Sequence, residues 1–169
     1  GFIDSNGNYD SSLNDCIEEQ NIEPFFNDLL KPLDCSQAYE LESYAVKSES
    51  LEICCDLLNC QKPASILFYG KPGSGKTELA KSLCKKTEKN IYVFKNEAEN
   101  NSHDSYALGR LMCILSMERP DSIIVVDEAD SLLKTLQFSF FSFEPSDKKG
   151  RVNKMLENNQ NKVIYIINH

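Results

Sequence analysis

Apolar residues follow two spacings along this chain, and the alternation between them predicts its architecture. Unbroken runs occupy residues 66–69, 91–94, 123–126 and 163–167. Each has the length and the β-branched or aromatic content of a short strand, and four successive aliphatics at 123–126 suit a strand covered on both faces. Between the runs, apolar positions fall three and four residues apart. Leu79, Ala80, Leu83 and Cys84 form one helical face after the first run. Ala107, Leu108, Leu111, Met112 and Leu115 form another within residues 105–118, ended by Arg119, Pro120 and Asp121. Strands alternating with helices predict an α/β fold, a parallel sheet covered by helices, with ligands at the C-terminal edges of the strands.

Upstream of the first run, residues 36–58 offer Leu41, Tyr44, Ala45, Ser48, Leu51, Cys55 and Leu58 to one face, which predicts a long helix. Phe25, Phe26, Leu29, Leu30 and Leu33 predict a shorter helix over residues 22–33, started at Pro24 and stopped at Pro32. Residues 1–20 are rich in Asn, Asp, Ser and Gly and read as a linker. The expected division is therefore a linker or upstream segment with a short helix at 1–32 and one domain at 33–169. Residues 132–161 are less regular. Phe138, Phe140, Phe141 and Phe143 sit among serines, followed by the breaker-rich EPSDKKG and a short helix with Val152, Met155 and Leu156. The aromatics suit packing on the domain's own helices, or contact with a partner protein or neighbouring subunit.

The first apolar run breaks into GKPGSGKT at residues 70–77, the pattern of a phosphate-binding loop between a strand and a helix. Gly70, Gly73 and Gly75 allow close approach of the backbone to phosphate, Pro72 stiffens the turn, and the amides from Ser74 to Glu78 open a helix N-terminus with unpaired N–H groups. Lys76 is placed to reach the β- and γ-phosphates and the Thr77 hydroxyl to bind Mg²⁺. The run at 123–126 delivers Asp127 and Glu128 just past its end. Asp127 suits the coordination shell of the same Mg²⁺, and Glu128 suits polarisation of a hydrolytic water. Asn168 ends the last run, where an amide side chain suits orientation of attacking water or the γ-phosphate, or a plain strand-end cap.

Composition narrows the partners. Residues 1–60 carry 13 acids against two bases, whereas residues 61–169 carry 13 against 16. The acidic front is a poor nucleic-acid footprint and suits a solvated surface or an adaptor face. No apolar run approaches the length of a membrane span, and the start lacks a basic flank followed by an apolar targeting segment. Seven cysteines without paired metal-ligand spacing, and two histidines, predict packed thiols in a reducing cytoplasm.

Taken in order, GKPGSGKT at 70–77, IIVVDE at 123–128 and VIYIIN at 163–168 resemble Walker A, Walker B and the sensor-1 strand of the AAA+ ATPase family, and within it the AAA branch. The resemblance covers roughly residues 33–168. It implies a P-loop NTPase core with strand order 5-1-4-3-2, truncated here before the fifth strand and the helical lid, so that the P-loop strand becomes a sheet edge. It also implies that Lys76, Thr77, Asp127, Glu128 and Asn168 serve phosphate, Mg²⁺ and water, with ATP and ADP as ligands. Family members form homo-oligomeric rings that remodel or thread proteins, completed by a neighbour's arginine. Arg110, Arg119 and Arg151 all precede the expected arginine-finger position, and Tyr106, Leu108 and Gly109 match the pore-loop triplet only loosely. The leading expectation is Mg²⁺-dependent ATP hydrolysis coupled to remodelling of a protein partner. A nucleotide-dependent scaffold without appreciable turnover is the second, and a nucleic-acid-dependent ATPase the third, disfavoured by the acidic front.

Overall fold

In the computed structural model of the chain, the described residues are 30–94, 121–130 and 159–168, with isolated helical positions at 153, 156 and 157. Four strands form where the apolar runs predict them: β2 at Ala64–Gly70, β3 at Ile91–Phe94, β4 at Ile123–Val126 and β5 at Lys162–Asn168. β4 and β5 carry the centre, since Ile123, Ile124, Val126, Val163 and Ile164 are fully buried. Each such aliphatic contributes about 1.5–3 kcal/mol relative to exposure, which no polar alternative at these positions would supply. β2 pairs with β5, β5 with β4 and β4 with β3, all in parallel, so every strand ends at the same edge of the sheet. This is the order predicted for the four parallel strands.

A fifth strand, β1 at Leu30–Pro32, runs antiparallel to β3 and completes the order β1-β3-β4-β5-β2. Here the expected helix over 22–33 is corrected: Leu30 pairs with Phe94 and Pro32 with Tyr92, while residues 22–29 lie outside the described set. Pro32 lacks a donor and sits where that is tolerated, on a short outermost strand. At the other margin β2 has a strand partner on one side only among the described residues.

Among the described residues two α-helices cover the sheet, α1 at Ser48–Asn59 and α2 at Lys76–Thr87. α2 buries Ala80, Leu83 and Cys84 against the core, the face its spacing predicts. The long helix expected over 36–58 is shorter than its periodicity suggests. A 3-10 turn at Leu41–Ser43 is followed by extended backbone at Tyr44 and non-helical backbone at Lys47, and the α-helix begins only at Ser48. The kinked path buries Leu41 and lets the Tyr44 hydroxyl meet the Ser82 hydroxyl of α2 at 2.9 Å. Tertiary packing therefore overrides a helical spacing that would have continued upstream. The helix expected at 105–118, the aromatic cluster at 138–143, Val152, Met155, Arg110, Arg119, Arg151 and the triplet Tyr106, Leu108 and Gly109 lie outside the described residues. No helix among the described residues is long and apolar enough to cross a membrane.

Candidate functional site

The strand register brings the three sequence motifs to one place. Gly70 at the end of β2 pairs with Asn168 at the end of β5, and Val126 at the end of β4 pairs with Tyr165. The turns that follow β2 and β4 therefore flank the last residue of β5.

Residues 71–75 connect β2 to α2 through backbone that side chains adopt poorly: Gly73 and Gly75 have φ of 74° and 83°. Gly75 is the cap from which α2 starts, and its carbonyl accepts the N–H of Leu79 at 2.8 Å. A Cβ there would meet nothing within 4 Å, so glycine is required for its backbone angle and not for space. Pro72, Gly73 and Ser74 are exposed, and Ser74 N–H donates to the Lys71 carbonyl at 3.3 Å.

Lys76 is held by three acceptors. Its ammonium donates to the carbonyls of Gly70 at 2.8 Å and Lys71 at 2.9 Å and to Oδ1 of Asn168 at 3.0 Å. An ammonium has three donors, so this geometry uses all of them while keeping the charge at the loop mouth. Thr77, one residue on, donates its hydroxyl to Oδ2 of Asp127 at 3.1 Å. The other carboxylate oxygen, Oδ1, accepts the N–H of Glu128 at 3.0 Å. Asp127 is half-buried and Glu128 exposed. Glu128 also has φ of 52°, a left-handed conformation that costs a side-chain-bearing residue of order 1–3 kcal/mol and is concentrated at functional turns. Glu78 engages Lys81 at 2.5 Å on α2, and this bond holds the Lys81 ammonium above its ordinary pKa.

The sequence grouping of Gly70, Lys76, Thr77, Asp127, Glu128 and Asn168 is thus one constellation in space. Two features were not read from the sequence. Asp130 accepts the main-chain N–H of Asn168 with both carboxylate oxygens, at 2.9 and 3.1 Å. A cavity of about 650 Å³ also opens beside Ser74, Gly75 and Lys76, walled by Tyr44, Val46 and Leu51 among others. Cys54 in that wall is a free thiol pushed up from its ordinary pKa by desolvation, which keeps the lining uncharged there. Cys84, in the core cluster against which Cys54 packs, is pushed up to about 12 for the same reason. The signal for the cavity in the sequence is the position of residues 36–58 just before the loop strand.

The residues present fit Mg²⁺ with a nucleoside triphosphate. Thr77 and Asp127 bring a hydroxyl and a carboxylate within 3.1 Å, the hard oxygen donors that cation prefers. The Lys76 ammonium and the N-terminus of α2 supply the positive charge and dipole that phosphates would need there. Fold and site together define a P-loop nucleotide-binding protein.

A sequence profile of the ATPase family associated with various cellular activities (AAA) matches residues 66–167, more than half of the chain. The chain belongs to this AAA family. Among similar proteins, the 26S proteasome regulatory subunit 8 homolog of Encephalitozoon cuniculi is 36% identical over 80 residues, which is 46% of this chain and 20% of that protein. The proteasome-activating nucleotidase of Methanocella arvoryzae is 34% identical over 74 residues, 43% of this chain and 18% of that protein. The matched stretch thus spans about a fifth of each relative.

Proposed function

We propose that the chain is the nucleotide-binding part, residues 33–169, of a Mg²⁺-dependent ATPase that acts on a protein partner, in the manner its relatives' names suggest. The observation that carries this reading is the convergence of Lys76, Thr77, Asp127 and Asn168 at one edge of the sheet. In the proposed mechanism the amides of residues 73–78 cradle the phosphates, and the cavity beside them takes the base. Lys76 leaves part of its three-acceptor cage to bind the β- and γ-phosphates. Mg²⁺ held by Thr77 and Asp127 would neutralise charge shared by those two phosphates. Glu128, exposed at the end of its turn, orients water for in-line attack at the γ-phosphorus and takes its proton as the bond to the ADP oxygen breaks. Asn168, fixed between Lys76 and Asp130, orients the water or the γ-phosphate.

Protein remodelling rather than nucleic-acid transport is favoured by the proteasomal relatives and by the acidic front of the chain. A homo-oligomeric ring and a cytoplasmic setting belong to the same proposal. The test is steady-state ATP turnover by the full-length protein. Glu128→Gln is expected to lower kcat by roughly 10²–10⁴. Turnover unaffected by Glu128→Gln and by Lys76→Ala would reject the assigned chemistry.

A further inference from the structure

Asp130 touches none of the reacting groups assigned above, yet its carboxylate is built into the site. β4 ends at Val126, opposite Tyr165, so residues 166–168 of β5 project beyond their neighbour on that side. The turn after β4 continues the ladder in place of a strand. Ala129 N–H donates to the Ile166 carbonyl at 2.8 Å, and both oxygens of Asp130 accept the N–H of Asn168, at 2.9 and 3.1 Å. A main-chain donor that would otherwise lack a strand partner on this flank is thereby satisfied by a carboxylate, a stronger acceptor than a neutral carbonyl.

The consequence falls on the Asn168 side chain. Its Oδ1 meets Lys76 at 3.0 Å, so the path from Asp130 to the phosphate-binding lysine is one residue long. Asn168 is exposed and is the last residue of β5, where the ladder no longer holds it from both sides. Opposite, on β2, Gly70 offers only main chain to fix it.

We propose that Asp130 is a positioning residue for ATP hydrolysis: by clamping the Asn168 main chain it aims the Asn168 side chain at Lys76 and, in the loaded site, at the attacking water. This rests on the ATPase reading above. Asp130 is not among the residues lining the cavity, and the phosphate loop is assembled without it. Its loss is therefore felt in the chemical step more than in nucleotide binding.

The test compares the unaltered full-length protein with Asp130→Ala, Asp130→Asn and a Glu128→Gln control, measuring kcat, KM, affinity for a non-hydrolysable ATP analogue and melting temperature. Because small misplacements of a reacting geometry are costly, Asp130→Ala is expected to lower kcat about 10- to 100-fold with KM and analogue affinity within about 3-fold. Asp130→Asn keeps one oxygen able to accept the N–H and is expected to recover to within about 5-fold of the unaltered kcat. It also carries the test alone if the alanine variant does not fold, by a small kcat loss at unchanged KM. An unchanged kcat in both variants overturns the inference, as does a joint fall of kcat, affinity and melting temperature, which marks a purely structural bond. Turnover that survives Glu128→Gln removes the ATPase reading itself. Turnover abolished by Glu128→Gln yet indifferent to Asp130 overturns the Asp130 inference alone.

Discussion

β4 and β2 each end in a turn that builds the site, yet they are held in place differently. Ile123 to Val126 in β4 are at most 1% exposed, whereas β2 leaves Leu67 51% and Tyr69 72% exposed at the margin of the sheet. β4 is positioned by burial between β3 and β5, and its turn can tolerate the left-handed Glu128 because the strand behind it cannot shift. Among the described residues β2 is held on one flank, by β5, and its loop takes its shape from glycine angles and from the Lys76 ammonium bonded to Gly70 and Lys71. The side of the site assigned to metal and water thus stands on the most enclosed strands, and the phosphate loop on a more open one. That division suits the proposed tasks: catalytic groups need fixed geometry, whereas a phosphate cradle must let a ligand in.

The contrast can be broken by substitution. Ile164→Ala, at a fully buried position of β5 between the two strands, is expected to destabilise the fold by about 2–5 kcal/mol in denaturant unfolding. Gly75→Ala meets no steric obstacle and is expected to cost about 1–2 kcal/mol through backbone angle alone. Tyr69→Ser, on the open margin, is expected to change stability by no more than about 0.5 kcal/mol. A loss above about 2 kcal/mol for Tyr69→Ser would show that this margin is covered in the protein and that the two strands are not so different.

The parts of the fold that were legible in the sequence are those with local causes. The runs at 66–69, 91–94, 123–126 and 163–167 are strands because unbroken aliphatic and aromatic stretches have few other solutions, and the glycine-rich turn at 70–77 carries its own backbone requirement. Those same features set the strand ends at which Lys76 meets Asn168 and Thr77 meets Asp127. What was misread has non-local causes. Residues 36–47 show helical spacing, but Leu41 and Tyr44 find better partners across the chain, on α2, than along it. Leu30–Pro32 has one buried residue and a proline, too little pattern to announce a strand; only β3 makes it one. Asp130 stands three residues after Asp127 in the sequence, but nothing in that spacing says that its carboxylate ends β5.

The central claim is that one pocket gathers triphosphate and metal at Lys76, Thr77 and Asp127. Calorimetric titration of ATP into the full-length protein, with and without Mg²⁺, and into its Lys76→Ala variant, tests it most directly. The account predicts saturable binding strengthened by Mg²⁺ and weakened about 10- to 100-fold by Lys76→Ala, the loss of a charge-assisted contact to phosphate. Absence of ATP binding, or binding of equal strength in the unaltered and Lys76→Ala proteins, would contradict it.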